Sequence, residues 1–204
     1  MFRDRPVRSR LVRAPVLREH AIENLRFIRE TMERSASFTA VPGWGGAAMG
    51  ITALAAAIVA SRQPTAARWL VTWLIEAAVA IGIGAWTLSR KARAARVPVL
   101  SGSGRRFTLC LCPPLLAGAL LTVVLYRAGL FSILPGLWLL MYGAAVATGG
   151  AFSVKIVPVT GLCLMGTGAL ALLAPPAWGD WFMGAGFGGL QIIWGIIIAR
   201  RYGG

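Results

Sequence analysis

Residues 39–60, TAVPGWGGAAMGITALAAAIVA, contain no charged side chain and decide the fold class. A helix needs roughly 20 mostly apolar residues to cross the hydrocarbon core of a bilayer, whereas runs of about 10–14 are typical of buried soluble helices. Pro42 falls in the first turn of the predicted helix, where the missing N–H costs no helical hydrogen bond. This stretch therefore predicts a membrane span.

Five further apolar blocks follow, which predicts an all-α membrane protein with a bundle of six transmembrane helices. Hydrophobic residues make up 57% of the 204 residues and charged residues 14%, against about 25% charged in ordinary soluble domains. The predicted spans are residues 39–60, 67–88, 107–126, 131–150, 154–174 and 181–199.

Lysine and arginine are distributed unevenly between the connections, and this asymmetry predicts the orientation. The N-terminal segment, residues 89–106, the connection at Lys155 and the C-terminus hold 18 of the 21 basic residues. Since basic connections stay in the cytoplasm, both termini are predicted to be cytoplasmic. We attribute the net charge of +14 to this orientation and to anionic lipids at the cytoplasmic face, and we predict no nucleic-acid partner.

The apolar blocks begin near Phe38, behind a charged segment far longer than the basic region of a signal peptide. We therefore expect the first span to remain in the mature protein. Residues 1–37 are predicted to form a cytoplasmic region, and residues 38–204 the transmembrane domain.

Residues 16–36 have the pattern of an amphipathic helix. Ala21, Leu25, Ile28 and Met32 recur at helical spacing, and oppositely charged residues elsewhere in the segment lie four apart. Two interpretations are open. The helix either lies on the membrane surface or against loops, or it contacts a protein partner or a second copy of the chain.

Glycines and tryptophans indicate how the spans pack. The pairs Gly46–Gly50 and Gly184–Gly188 have the small-xxx-small spacing, which favours close helix packing inside the bundle or at an oligomer face. The tryptophans predicted to form a belt at the outer interface are Trp69, Trp73, Trp178 and Trp181.

Glu76 is the only clearly ionisable residue in the middle of a predicted span. It lies ten residues into the second span, or about 15 Å deep at 1.5 Å per residue. A charge at this depth is expensive, so such residues usually face the bundle interior or a cavity. We expect a neutral, protonated side chain there.

Three other polar residues match Glu76 in depth. Gln191 lies about ten residues into the sixth span, while Tyr142 and Thr167 lie at similar depth in the fourth and fifth spans. The sequence therefore predicts a candidate midplane site of Glu76, Gln191, Tyr142 and Thr167. The site could bind a proton or a substrate, or it could be a structural hydrogen-bonded contact between helices.

The sequence lacks the residues that several kinds of chemistry require. Its only histidine, His20, precedes the spans, so no intramembrane serine–histidine or cysteine–histidine pair is available. Cys110, Cys112 and Cys163 form no Cys-x-x-Cys pair. We therefore predict no catalytic residues, no cofactor and no metal site.

The run ENLRFIRETME at residues 23–33, followed by FTAVPGWG at residues 38–45, resembles a family of uncharacterised bacterial multi-span membrane proteins. The resemblance covers roughly residues 23–50. It implies a setting in the bacterial inner membrane and no activity or site residues.

Together with the lack of catalytic and metal-binding residues, these features predict a non-enzymatic inner-membrane protein with a regulatory, scaffold or accessory role. The alternative is a small proton-coupled transporter or channel that uses Glu76. A membrane-embedded enzyme is the third interpretation.

Overall fold

The structure is a computed structural model, and it describes His20, residues 22–28, residues 43–94 and residues 102–202. The chain divides into two units, Met1–Ala36 and Ser37–Gly204.

The described residues of the first unit are helical and exposed. His20 Nδ1 lies 3.8 Å from Glu23 Oε2, one turn along the helix. Leu25 and Ile28, which belong to the predicted apolar stripe, are 67% and 51% exposed. Most of the predicted helix over residues 16–36 lies outside the described residues, so its amphipathic character stays a prediction.

The second unit contains six helices that are long and apolar enough to cross a membrane, counted over the described residues. They confirm the predicted fold class. Short 3₁₀ turns, Phe131–Ile133 and Pro176–Trp178, form the first residues of the fourth and sixth spans. The first five are α1 (Gly43–Ala60), α2 (Ala66–Ala94), α3 (Gly102–Arg127), α4 (Leu134–Gly150) and α5 (Ile156–Leu173). The sixth span, Pro176–Tyr202, combines α6 (Gly179–Met183), a π-helix (Gly184–Leu190) and α7 (Gln191–Tyr202).

Glycine and proline end the helices at the predicted connections. After α3, Gly129 has a φ of 72°, a conformation that costs glycine little because it has no Cβ. The Leu130 N–H donates to Leu125 O, and the Gly129 N–H donates to Tyr126 O, which closes a Schellman motif. After α5, Ala174 is extended because it precedes Pro175.

The first and sixth spans pack antiparallel with their backbones in contact. A Cβ on Gly50 would lie 2.7 Å from Gly188 O, and one on Gly46 would lie 3.5 Å from Gly195 Cα. A Cβ on Gly184 would likewise be 3.4 Å from Ala57 Cβ. The glycines of both small-xxx-small pairs therefore pack inside this bundle.

A second antiparallel contact, between α4 and α5, is equally close. Gly136, Gly143 and Gly150 recur every seven residues, as do Gly161 and Gly168, so each set lies along one helix face. A Cβ on Gly143 would lie 2.7 Å from both Gly161 O and Met165 N. Because these neighbours are mainly backbone atoms, the contact has no room for a side chain.

The remaining two helices lie at the periphery, α2 against α1 and α3 against α4. Only 11% of the apolar 18-residue stretch of α2, and likewise of α3, is buried in the bundle, compared with 39% for the first and sixth spans. The bundle thus has a core of α1, α4, α5 and the sixth span, with α2 and α3 presenting apolar faces outward.

Candidate functional site

Tyr142 and Gln191, two of the four predicted site residues, are in direct contact. The Gln191 side-chain amide donates to the Tyr142 hydroxyl over 2.7 Å, which joins α4 to the first residue of α7. Phe187, on the preceding π-helix, packs against the Tyr142 ring with centroids 5.3 Å apart. Of the four residues predicted at this depth, the structure therefore joins these two directly.

Glu76 makes its described hydrogen bond to a residue outside the predicted set. The Thr52 hydroxyl lies 2.8 Å from Glu76 Oε1, which joins α1 to α2. The sequence contains a usable signal for Thr52, because both residues are 12 positions from Pro64 in the connection between the two helices. The predicted set has no residue from the first span, and it therefore lacks Thr52.

The surroundings of Thr52 accommodate a neutral carboxylic acid at Glu76. The single Thr52 hydroxyl proton has Glu76 Oε1 at 2.8 Å and Met49 O at 2.9 Å as its two nearest acceptors, and Ala48 O lies farther away at 3.4 Å. A carboxylate would compete with the carbonyl oxygen for that proton. A carboxylic acid can instead donate to the hydroxyl oxygen, so that both contacts become hydrogen bonds.

Thr167, the fourth predicted residue, is half-buried on α5, and its described hydrogen bond stays within its own helix. Its hydroxyl donates to Cys163 O over 2.9 Å, which is the usual way for threonine to satisfy its hydroxyl inside a membrane helix. The structure thus joins Tyr142 to Gln191, Glu76 to Thr52 and Thr167 to its own backbone.

An aromatic cluster of Trp69, Trp73, Trp138, Tyr142 and Phe187 connects α2, α4 and the sixth span. Trp69 stacks on Trp138 with centroids 5.6 Å apart and an interplanar angle of 14°. Trp73 is 6.4 Å from Trp69 and 6.3 Å from Phe187. The cluster therefore extends continuously from Trp138 to Tyr142.

Trp69 and Trp73, which the sequence predicts toward the outer interface, face the interior of the bundle. Trp73 is only 3% exposed and Trp69 is half-buried, because both face α4 and the sixth span. Trp178 and Trp181, at 56% and 80% exposed, do have the accessibility expected of belt residues. Trp73 Nε1 is buried and has no hydrogen-bond partner in the described part of the chain.

Phe187 lies in the π-helix of the sixth span. The sequence of the π-helix is GAGFGGL, and its glycines allow the backbone of this segment to approach α1 and α4 closely. π-Helical turns within α-helices are often found at functional sites. Here the irregular segment ends immediately before Gln191, so it determines how Phe187 and Gln191 both reach Tyr142.

A shallow cavity of about 170 Å³, open at the surface, lies at the end of the bundle opposite Gly43 and Ala199. Trp69, Phe131, Pro135 and Asp180 line it, together with neighbouring small and polar residues. The Trp69 indole N–H donates to Asp180 Oδ1 over 2.7 Å, which links α2 to α6. Asp180 lies in the first turn of α6, whose N-cap residue, Trp178, makes no side-chain capping bond.

The described residues provide no cluster of three or more histidine, cysteine or acidic side chains that could hold a metal ion. No protein-family model, curated protein or solved structure matches this chain. The candidate site must therefore be interpreted from its own geometry.

Proposed function

We propose that this chain is a non-enzymatic, multi-pass protein of the bacterial cytoplasmic membrane with a regulatory, scaffold or accessory role. Both termini would be cytoplasmic. Support for this orientation comes from Lys91 Nζ, which lies 3.4 Å from Tyr202 O, so the basic ends of α2 and α7 meet at one end of the bundle. The less basic connections after α1 and α3 lie at the opposite end.

The observation that carries this proposal is the pairing of polar side chains across helix contacts. Glu76–Thr52, Gln191–Tyr142 and Trp69–Asp180 each connect two spans, and so does the bond from Trp138 Nε1 to Thr122 Oγ1. Alternating access requires one group of helices to rock against another. Here the hydrogen bonds join pairs of spans other than the two pairs in backbone-to-backbone contact. The spans are therefore linked in several directions, which favours a fixed bundle that presents surfaces to other molecules.

The cytoplasmic segment offers one such surface, and we expect its removal to change assembly. Deleting residues 1–36 should abolish a self-association or a stoichiometric partner that the full-length protein has in detergent, as measured by native mass spectrometry. Replacing Leu25 and Ile28 by serine should reproduce the loss, because both side chains are exposed and apolar.

Arg26→Gln serves as the matched control, since it alters an exposed polar residue of the same helix. If the deleted protein keeps the oligomeric state and partners of the full chain, the accessory role of this segment is contradicted.

A proton-coupled transporter is the second candidate, and the position of Glu76 favours it. The side chain is half-buried between α1 and α2, within the apolar part of the second span, and bonded to a hydroxyl that can exchange protons with it. Intramembrane carboxyl groups are typical of proton relays.

Proton flux into liposomes separates the two candidates. If the protein transports protons, Glu76→Gln should lower the flux to that of protein-free liposomes, because an amide cannot release a proton. Glu23→Gln removes a carboxyl outside the spans and should keep the wild-type flux. Wild-type flux no higher than that of empty liposomes would support the accessory role and eliminate the transporter.

A further inference from the structure

We propose that the cavity lined by Trp69, Phe131 and Asp180 binds a small organic ammonium group. The cavity combines one carboxylate with aromatic rings, which is the composition that recognises an alkylated or primary ammonium ion through charge and cation–π attraction. The ligand could be a free amine or the ammonium of a phospholipid headgroup.

Asp180 is held in a position that suits this role. Its Oδ1 accepts the Trp69 indole N–H, so the carboxylate is fixed against the ring that lines the same cavity. Among the described residues, no lysine, arginine or histidine lies within ion-pair distance of it. Arg68 and Arg127, at the same end of the bundle, are exposed and do not line the cavity. The negative charge is therefore available to a ligand.

The aromatic walls are also held by the fold. Trp138 covers one face of the Trp69 indole, and Phe131 packs edge-on against Tyr126 with centroids 5.3 Å apart. Gly179 allows α6 to approach α4, since a Cβ there would lie 2.9 Å from Pro135 Cγ. The walls thus come from different spans, and contacts within the bundle hold each of them in place.

The volume of the cavity and the side chains that line it indicate which class of ligand it can bind. A closed cavity of about 150 Å³ holds benzene, with its six carbon atoms. The cavity here is open at the surface, and its 170 Å³ leaves room for a group the size of choline or ethanolamine. A hard metal cation needs several oxygen ligands. One carboxylate beside two aromatic side chains provides few, so an organic cation fits better.

The test uses the full-length protein in a non-ionic detergent, with choline chloride as the soluble probe. Saturation-transfer NMR should detect binding of choline to the wild type and to Glu23→Gln. Asp180→Asn keeps an acceptor for the Trp69 N–H and removes the charge, so its affinity should be at least about tenfold lower. The neutral isostere 3,3-dimethylbutan-1-ol should bind at least about tenfold more weakly than choline to the wild type.

A lipid arm distinguishes the two sources of the ammonium group. In nanodiscs of phosphatidylethanolamine and phosphatidylglycerol, native mass spectrometry should show retention of phosphatidylethanolamine by the wild type and its loss in Asp180→Asn, if the ligand is a headgroup. Should Asp180→Asn fail to fold, Phe131→Leu serves instead, because it removes a ring and leaves the Trp69–Asp180 bond intact. The proposal is overturned if neither arm shows ammonium binding that depends on Asp180 or Phe131, or if the neutral isostere binds as well as choline.

Discussion

Replacing Gly161 by alanine is expected to destabilise the bundle by about 1–3 kcal/mol, the usual cost of forcing extra volume into a packed core. An added Cβ would lie 2.6 Å from Gly143 O and 2.7 Å from Ala147 Cα. Both atoms belong to the α4 backbone, which cannot rotate away as a side chain can. The two helices would have to move apart, and the neighbouring contacts along the glycine faces would weaken with them.

Gly166→Ala is the matched control for this prediction, because it makes the same change on the same helix. A Cβ on Gly166 would have no neighbour within 4 Å. Since alanine is a better helix former than glycine, this variant should be as stable as the wild type or slightly more so. The midpoint of thermal unfolding in detergent, monitored by size-exclusion chromatography, measures the stability of both variants. Equal midpoints for the two alanines would contradict the proposed backbone contact.

The second large effect is expected for Trp73→Ala, at roughly 2–4 kcal/mol. In water the loss would combine the transfer energy of the indole with the cavity left behind. In a bilayer the surrounding lipid is as apolar as the protein interior, so the transfer part is small and the lost packing dominates. That loss is still large, because Trp73 is 3% exposed and contacts the rings of Trp69 and Phe187.

Trp86→Ala provides the comparison on the same helix. Trp86 is 63% exposed, and its described ring contact is with the Arg90 guanidinium, 5.5 Å from the ring centroid. Removing the Trp86 side chain should change the free energy of unfolding by about 0.5 kcal/mol or less. Trp73→Phe should lie between the two alanine variants, because it keeps a ring and removes an indole N–H that has no described partner. Steric-trapping measurements that found Trp86→Ala as damaging as Trp73→Ala would contradict the assignment of Trp73 to the core.

Part of the candidate site was predictable from depth alone. Tyr142 and Gln191 were expected at the same level of the bilayer, and they form a hydrogen bond. Glu76 was expected at this level too, yet its described bond is to Thr52. Depth gives one coordinate of a side chain along the bundle axis. It does not give the direction in which the helix presents that side chain, and this direction decides which partner is reached.

The sequence by itself determined that the chain has six helices long and apolar enough to cross a membrane, and roughly where each of them lies along the chain. Hydrocarbon offers no partner for a backbone N–H or C=O, so a long apolar segment must form a helix whatever its neighbours are. The packing of those helices was decided only by the tertiary structure. In water, an apolar stripe marks the buried face of a helix; in lipid, both faces are apolar and that signal disappears. Thus the close fit of Gly143 against Gly161, and the burial of Trp73 rather than Trp178, depended on which backbones could approach one another.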